Sequence, residues 1–324
     1  MARQIFAYIL HENGKADDSA LELAAAAKKI DPAAPVTAIV TGTGADLDVV
    51  CSEAAAAYHD VWKFDSADLE YPNAEVVRKV LTGVIPAGSI VLAAHEHFGM
   101  DLAPGLAVKL GAAYLSDAVD LLNVEGDLLK AVRQEYAGQV SAHVTCSISS
   151  GAVITMRPGA FAPEEAVAGG QVTDKSGELG DLSSGRRFLE VVQAEAGDVD
   201  ITQSEILVAV GRGIEDEDNL EIVDELAEAM GGDVACSRPI VDAKWLDKSR
   251  QVGTSGLTVK PKVYLALGIS GSFQHVGGIK GNPFTVAVNK NAKSPIFQIA
   301  DVGVVADILD FVPELTEKIG EVKG

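Results

Sequence analysis

The sequence predicts a two-domain α/β protein, with an N-terminal α/β domain built on a parallel sheet with antiparallel additions and a C-terminal doubly wound domain. The first observation is that short aliphatic runs alternate with helix-like segments twice, once before Tyr114 and again after Ile206. The second is composition: 48% of the residues are hydrophobic but only 5% are aromatic, so the cores must be aliphatic, which suits buried parallel strands. The third is length, since 324 residues are enough for two cores.

The first part of the chain alternates predicted strands with predicted helices. Asp17 or Asp18 can cap the first helix, because a short acidic side chain accepts hydrogen bonds from the free N–H groups there. This order gives a parallel sheet with helices on both faces. The predicted strands are Ile5–Ile9, Val36–Val40, Val61–Phe64 and Ser89–Ala93, and the predicted helices are Asp18–Lys29, a segment that follows the turn Thr41–Gly44 and runs through Ala57, Ala74–Leu81 and Asp101–Leu110.

After Tyr114 the pattern changes to strands joined by short turns, which we interpret as antiparallel additions to the first domain. Ala162–Leu182 is rich in small and acidic residues and predicts a surface loop or connection. Phe188–Val192 is predicted to be a further strand. The predicted additions are Val119–Val124, Leu128–Tyr136, Gln139–Thr145 and Ala152–Met156.

A second strand–helix alternation begins at Ile206. We therefore predict a first domain over residues 1–194, a linker over 195–204 that can serve as a hinge, and a second domain over 205–324. The predicted strands of the second domain are Ile206–Val210, a short strand before Arg238, Val263–Leu267 and Phe284–Val288, and the predicted helices are Asp218–Met230 and Val304–Phe311.

The formal net charge of −21 comes from 26 basic and 47 acidic side chains. Nucleic-acid binding requires a basic patch, and no lysine or arginine cluster forms one, so nucleic acid is not an expected partner. An acidic surface also repels anionic membranes. The charge fits either simple solvation or a surface that steers basic patches of protein partners.

The three cysteines, Cys51, Cys146 and Cys236, form no C-x-x-C pair, so neither a zinc site nor a disulfide framework is indicated. No apolar stretch approaches the roughly 18–20 residues that span a bilayer, so membrane insertion is not expected. The chain starts directly with a strand-like segment and no signal peptide. We therefore expect a cytoplasmic protein.

Two short motifs resemble ligand sites but have simpler interpretations. Gly42-Thr43-Gly44 begins like a dinucleotide fingerprint, but Leu47 stands where the third glycine belongs, which favours a plain tight turn. His95-Glu96-His97 follows a strand, and its histidines are not one helical turn apart, which favours a strand-end loop over a metal site.

Four segments of the second domain combine glycine, hydroxyl, cationic and amide residues at predicted strand ends. Glycines let a backbone approach a ligand, and an arginine offers a planar fork to a phosphate. Taken alone, each of the first three segments fits a turn, a solvent loop or an arginine paired with a carboxylate about as well as a ligand site. The segments are Val210–Gly213, Cys236–Pro239, Gln251–Gly256 and Gly268–Gly278.

The fourth segment carries the strongest signal. It follows the predicted strand Val263–Leu267 and leads into a helix start. This arrangement predicts an anion site, because free N–H groups and the helix dipole point at a bound phosphate. Within the segment, His275 can donate a hydrogen bond to a ligand carbonyl.

Together these residues resemble the alpha subunit of electron-transferring flavoprotein. The strong part of the resemblance is the C-terminal third, and the N-terminal half agrees in strand–helix order and in Arg157-Pro158. The segments that carry it are Leu265–Asn289, Ser237–Ala243, Gln251–Gly253, Ser294–Asp301 and Val304–Asp307.

The resemblance implies that the C-terminal domain binds FAD, with AMP or a second FAD in a partner beta subunit. It places Arg238 against the isoalloxazine ring, Ser255 at its N5 edge and His275 at a ring carbonyl. It assigns Ser270, Asn289 and Asp307 to the ribityl, pyrophosphate and adenosine parts. The implied cofactor-binding residues are Arg212, Ser237, Arg238, Gln251, Val252, Gly253, Thr254, Ser255, Gly268, Ser270, Gly271, Ser272, Phe273, Gln274, His275, Asn289 and Asp307.

The function that the resemblance implies is electron transfer within a heterodimer, from flavin dehydrogenases such as acyl-CoA dehydrogenases to a quinone-linked oxidoreductase. The chain is then an electron carrier and not a substrate-converting enzyme. A bifurcating, NADH-oxidising complex remains an alternative, as does a nucleotide-binding regulatory module. A self-contained flavin dehydrogenase needs a catalytic base, and the sequence indicates none.

Overall fold

The computed structural model describes residues 4–136, 140–163, 169–190 and 199–323. The chain divides into two compact units, Met1–Glu190 and Val191–Gly324. The first part of the predicted linker lies outside the described residues. Its described part, 199–204, packs on the second unit through Ile201, which is fully buried.

The first unit is an α/β structure with one large sheet. Its strands are β1 Ile5–Ile9, β2 His11–Glu12, β3 Lys15–Ala16, β4 Val36–Gly42, β5 Asp60–Asp65, β6 Ile90–Ala94, β7 Ala113–Glu125, β8 Leu128–Glu135, β9 Val140–Ser147, β10 Ala152–Met156 and β11 Gln171–Asp174, and its helices are α1 Ser19–Ile30, α2 Gly44–Ala54, α3 Ala74–Val84 and α4 His97–Leu110.

The nine-stranded sheet has the order β11-β5-β4-β1-β6-β10-β7-β8-β9. The predicted alternation of parallel strands and helices is confirmed, because β1, β4, β5 and β6 are all parallel. The antiparallel additions are the hairpins that join β7 to β8 and β8 to β9. The predicted start of β9 at Gln139 lies outside the described residues.

The prediction that Ala152–Met156 is an antiparallel addition is wrong. This strand, β10, lies between β6 and β7 and is parallel to both. All five of its residues are buried. A continuous apolar run suits a central parallel strand covered on both faces, whereas an antiparallel strand with one wet face alternates.

Two further predictions, both for segments near the end of the first unit, need correction. Gln171–Asp174 lies within the predicted surface loop but forms the edge strand β11, parallel to β5; its polar residues concealed it, because an edge strand can remain largely exposed. Phe188–Val192 was predicted to be a strand, yet residues 188–190 have no strand partner, and the last two lie outside the described residues. The Phe188 ring instead stacks on Tyr71, with ring centroids 4.2 Å apart.

Helices cover both faces of the first sheet. Leu23 of α1 and Leu47 of α2 are buried in one core, and Leu81 of α3 and Leu102 of α4 are buried in the other. Each such side chain stabilises the fold by about 1.5–3 kcal/mol through removal from water. The first helix is capped by Asp17, whose carboxylate accepts the Ser19 N–H at 2.9 Å.

The second unit has a five-stranded parallel sheet in the order β13-β12-β14-β15-β16. One face is covered by α5 and α8, and loop residues such as Val252 and Ile296 cover the other. The strands are β12 Ile206–Val210, β13 Asp233–Cys236, β14 Val263–Leu267, β15 Phe284–Val288 and β16 Val302–Val304, and the helices are α5 Glu221–Met230, α6 Arg238–Asp242, α7 Phe273–Val276 and α8 Ile308–Lys323.

The helix predicted over Val304–Phe311 begins later than expected. Val304 pairs with Val288 as the end of β16, so its backbone is committed to the sheet. Asp307 then marks the helix start, because its carboxylate accepts the Leu309 N–H at 3.0 Å. The helix α8 runs from Ile308 to Lys323.

Candidate functional site

The carboxyl ends of β12, β13, β14 and β15 lie along one edge of the second sheet, because these strands are parallel. From β12 the chain passes to β13 on one side, and β14 then pairs on the other side of β12. The strand order therefore reverses at β12, and ligands of open α/β sheets bind in the crevice at such a point.

A cavity of about 440 Å³ occupies this edge, a size typical of small-molecule sites. Most of the predicted cofactor-binding residues line it. They are Arg212, Ser237, Arg238, Gln251, Val252, Gly253, Ser255, Gly268, Ser270, Ser272, Gln274, His275 and Asn289.

Three glycines at this edge hold the turns after β12 and β14 together. The Gly213 N–H donates to the Gly268 carbonyl at 3.1 Å. A Cβ at Gly213 would lie 2.6 Å from the Gly268 Cα, and one at Gly211 would lie 2.7 Å from the Gly268 oxygen. These glycines are thus required for contact between two turns, whereas the sequence had suggested contact between backbone and ligand.

Two arginines supply positive charge to the cavity. Arg212 is exposed, and its guanidinium makes no ion pair with the part of the chain that the structure describes. The Arg238 Nε lies 3.4 Å from an Asp242 carboxylate oxygen, a pair so exposed that it contributes little. Both guanidinium groups remain available to an anionic ligand.

The loop between Gln251 and Leu257 brings one buried and one exposed polar side chain to the cavity. Gln251 is only 4% exposed. Its amide nitrogen donates to the Ser255 hydroxyl oxygen at 3.0 Å. Ser255 itself is exposed and lines the cavity, so this loop offers a hydroxyl group to a ligand.

His275 is a buried polar side chain in the cavity wall. Its Nε2 lies 2.8 Å from the hydroxyl of the fully buried Tyr264. Burial lowers the pKa of His275 to about 4, and the Val252 carbonyl opposes this shift in part. By geometry, however, Nδ1 makes no acceptable hydrogen bond among the described residues. The ring is therefore neutral near pH 7, with one nitrogen unsatisfied.

Burial raises the pKa of the Tyr264 phenol well above its ordinary value, so this hydroxyl stays protonated. When Tyr264 donates its proton to Nε2, the neutral imidazole must carry its own proton on Nδ1. In that arrangement Nδ1 is a buried hydrogen-bond donor of a residue that lines the cavity. A buried polar atom without a partner costs about 1–3 kcal/mol, so a ligand acceptor at this place would relieve that cost.

The helix after β14 is shorter than the anion-site prediction requires. The helix α7 spans Phe273–Val276, a single turn, and one turn sums too few peptide dipoles for a strong N-terminal field. Gly271 is needed for packing, since a Cβ there would lie 2.3 Å from the Ile296 nitrogen. The positive charge that the cavity wall offers to an anionic ligand therefore belongs to the guanidinium groups of Arg212 and Arg238.

Four predicted cofactor-binding residues do not line the cavity: Thr254, Gly271, Phe273 and Asp307. Asp307 caps α8 and forms an ion pair with Lys290 at 2.9 Å. Phe273 is 54% exposed. The Thr254 N–H donates to the Gln274 carbonyl at 2.7 Å, which ties the loop to α7.

Sequence reasoning missed other residues of the cavity wall. Ser294 donates its hydroxyl proton to the Ser270 carbonyl at 2.9 Å, and Asn289 donates to the Ile269 carbonyl at 2.9 Å; both bonds hold the turn after β14. The segment after β15 is polar like the other strand ends, and this could have indicated that it contributes to the same site. The missed residues are Pro239, Asp242, Ile269, Asn291 and Ser294.

The two short motifs of the first unit have structural roles. The His11 Nε2 lies 2.9 Å from the Thr41 carbonyl oxygen, and a Cβ at Gly42 would lie 3.0 Å from the same nitrogen. Thr43 donates to Asp65 at 3.0 Å. Side chains of the first unit thus occupy the space around this turn, which favours the interpretation as a plain tight turn. The turn therefore does not support the alternative of a nucleotide-binding regulatory module.

In the second motif, Glu96 caps α4 by accepting the Gly99 N–H at 2.8 Å. His95 Nδ1 lies 2.9 Å from the Thr155 hydroxyl. Within the described ranges, no group of three or more His, Cys, Asp or Glu side chains is placed to hold a metal ion. All three cysteines are buried as free thiols.

Among the described residues, no helix is both long and apolar enough to cross a membrane. The fold and the cavity at the switch point of the second sheet define a class: two-unit α/β proteins with a candidate nucleotide-cofactor site. Residues 5–178 match the family model described as the electron transfer flavoprotein domain. Residues 200–280, which contain most of the cavity, match the electron transfer flavoprotein FAD-binding domain.

The chain belongs to the electron transfer flavoprotein alpha-subunit family, which confirms the resemblance seen in the sequence. It is 30% identical to the alpha subunit from Thermoanaerobacterium thermosaccharolyticum, over 99% of each chain. It is 40% identical to that from Methylophilus methylotrophus, over 71% of this chain and 72% of the other. It is also 32% identical to the subunit LctC of lactate dehydrogenase (NAD(+),ferredoxin) from Acetobacterium woodii, over 98% of this chain and 77% of the other.

Proposed function

We propose that this chain binds one FAD in the cavity of its second unit and serves as the FAD-carrying subunit of a heterodimeric electron carrier. The electrons come from flavin dehydrogenases, such as acyl-CoA dehydrogenases, and pass to a quinone-linked oxidoreductase. A beta subunit that carries AMP completes the heterodimer. The observation that carries the proposal is His275, a buried neutral histidine with an unsatisfied nitrogen in the wall of a cavity that two arginines also line.

The residues present fit FAD in both of its chemically distinct parts. Arg212 supplies a cationic hydrogen-bond donor for the pyrophosphate, and Arg238 supplies a positive charge beside the isoalloxazine ring. Nδ1 of His275 supplies a hydrogen bond for a carbonyl edge of the ring. Ser255 and Ser270 add hydroxyl groups to the cavity wall, which suits a ligand rich in polar atoms.

Bound FAD supplies the transfer of one or two electrons. The chain binds and orients it, and Arg238 favours negative charge in the cavity because opposite charges attract most where water is displaced. When the Tyr264 hydroxyl donates to Nε2, His275 holds its own proton on Nδ1 and can donate it in a hydrogen bond to the ligand. No acid–base pair is needed for this function, so the predicted absence of a catalytic base is consistent with it.

The test is FAD binding by the heterodimer purified with its beta subunit. We expect Arg212→Ala to raise the FAD dissociation constant about tenfold, because one charge-assisted hydrogen bond is lost. The measurement is titration of the FAD-free protein, followed by flavin fluorescence. The matched control is Lys318→Ala, which removes an exposed cation of α8 that does not line the cavity.

The control should bind FAD as the unmodified protein does. Equal affinities for the unmodified protein and Arg212→Ala would place the pyrophosphate elsewhere. A heterodimer that binds no flavin would overturn the proposed function as a whole.

A second candidate function is that of a bifurcating, NADH-oxidising complex with two FAD molecules. Its support is the similarity to the LctC subunit, whose name includes both NAD(+) and ferredoxin. Nucleotide extraction from the purified heterodimer separates the two candidates: one FAD and one AMP favours the simple carrier, and two FAD favours bifurcation.

A further inference from the structure

The loop from Gln251 to Leu257 is closed by its own backbone. The Leu257 N–H donates to the Gln251 carbonyl at 2.7 Å, and the Gly256 N–H donates to the Gly253 carbonyl at 3.0 Å. A Cβ at Gly256 would lie 2.3 Å from the Gln251 oxygen. The loop therefore holds the two residues at its base and tip, Gln251 and Ser255, at a fixed separation.

The two side chains have opposite environments within this loop. Gln251 is 4% exposed, while Ser255 is exposed at the cavity. The Gln251 backbone is fixed on both sides, since its N–H donates to the Lys248 carbonyl at 3.0 Å and its carbonyl accepts from Leu257. The buried amide therefore has little freedom to turn away from the serine.

The hydrogen bond between them has a chemical consequence for the hydroxyl proton. The Gln251 Nε2 donates to the Ser255 Oγ at 3.0 Å. An oxygen that accepts from the amide must send its own proton elsewhere, and the Ser255 hydroxyl donates to no group in the described ranges. Because Ser255 lines the cavity, that proton is available to a ligand there.

We propose that Gln251 is a positioning residue, which orients the Ser255 hydroxyl as a hydrogen-bond donor toward the flavin ring. The inference rests on the proposed function, because it needs FAD in the cavity. Gln251 acts through the serine. Its amide donates to the serine oxygen, so the serine hydroxyl can interact with the ring only as a hydrogen-bond donor. A serine without this partner rotates among several directions and loses part of its bond to the ring.

The test is a double-mutant cycle in the FAD-loaded heterodimer with Gln251→Met, Ser255→Ala and both together. Gln251→Met keeps an unbranched side chain of similar length and removes the amide. The readout is the ratio of reduced to oxidised FAD at equilibrium with a redox dye, together with the FAD dissociation constant. We expect each single variant to change the ratio about threefold to tenfold, the range for one hydrogen bond.

In the Ser255→Ala background, Gln251→Met should change the ratio less than about twofold, because the group through which it acts is absent. In the Ser255→Thr background, which keeps the hydroxyl, it should have its full effect. An effect of Gln251→Met that persists in the Ser255→Ala background would overturn the proposal and show that the amide contacts the flavin itself. An unmodified heterodimer without FAD would instead overturn the proposed function.

Discussion

At the scale of single residues, His275 shows how burial changes chemistry. The ring is 5% exposed, and its Nε2 lies 2.8 Å from the Tyr264 hydroxyl. A protonated imidazole would place a positive charge where water cannot solvate it, and this lowers the pKa of His275 to about 4. The same burial that keeps the ring neutral leaves Nδ1 without a hydrogen bond of acceptable geometry among the described residues.

This low pKa predicts a pH dependence of stability in the FAD-free protein. Unfolded His275 binds a proton below its ordinary pKa of about 6.5, whereas the folded residue does so only near pH 4. Its contribution is fully present above pH 6.5 and is lost as the pH falls through 4, by up to about 3 kcal/mol. We expect His275→Gln to flatten the fall in the free energy of unfolding across this window, as measured by urea denaturation.

Other carboxylates titrate in the same window, so the informative quantity is the difference between the two proteins. A difference that does not change between pH 7 and pH 4 would contradict the burial of a neutral His275. Bound FAD should reduce the pH-dependent difference between the two proteins, because an acceptor atom of the ligand would form a hydrogen bond with Nδ1.

At the scale of elements, the turns after β12 and β14 form one packed unit through their glycines. Gly268 has a φ of +61°, a conformation in which glycine is favoured. Its carbonyl accepts the Gly213 N–H, so the two turns are fixed to each other where the cavity forms. The position of Arg212, between Gly211 and Gly213, therefore depends on this contact.

A methyl group in this contact should be costly. We expect Gly213→Ala to lower the free energy of unfolding by about 1–3 kcal/mol, because the new Cβ would lie 2.6 Å from the Gly268 Cα and the backbone must move. The measurement is urea denaturation of the FAD-free protein, and FAD affinity should fall with stability.

The matched control is Gly320→Ala in α8, where a Cβ meets nothing within 4 Å. This substitution should stabilise the protein by about 0.5–1 kcal/mol, because alanine is the better helix former. Equal effects of the two substitutions would show that the contact between the turns is not tight.

At the scale of the whole molecule, the dominant property is the net charge of −21. Part of this charge is concentrated in an exposed acidic run that begins three residues after Arg212; the run is Glu215, Asp216, Glu217 and Asp218. A charge of this sign disfavours binding to nucleic acid and anionic membranes. It would attract a protein partner whose docking surface is basic.

We therefore expect the bimolecular rate of electron transfer from a dehydrogenase with a basic docking surface to fall several-fold as salt rises from about 0.02 to about 0.2 M, because ions screen charges beyond a Debye length. Stopped-flow reduction of the heterodimer at several ionic strengths measures this. A rate that does not depend on salt would mean that the charge serves solvation alone.

Much of the fold and of the candidate site could be predicted from local sequence. The strands β12, β14 and β15 have the predicted bounds, because an aliphatic run between polar turns has few alternatives. The residues after those strands were predicted to share a site because together they resemble the alpha subunit of electron-transferring flavoprotein. Most of them do line the cavity.

The rest depended on which segments become neighbours. Ala152–Met156 has a strand-like sequence in any position, but only the completed sheet places it between β6 and β7. Similarly, Ser294 enters the cavity wall because it bonds the Ser270 carbonyl, and Asp307 stays out of that wall, paired with Lys290.

For this protein the sequence by itself determined most of the strands and helices, the chemistry available at the strand ends and the family. Only the tertiary structure decided that Tyr264 and His275 share a hydrogen bond, that Gln251 donates to Ser255, and that the glycines of two separate turns contact each other. The physical reason is that periodicity and turn chemistry act over a few residues, whereas hydrogen bonds and burial depend on distances set by the packing of the whole sheet.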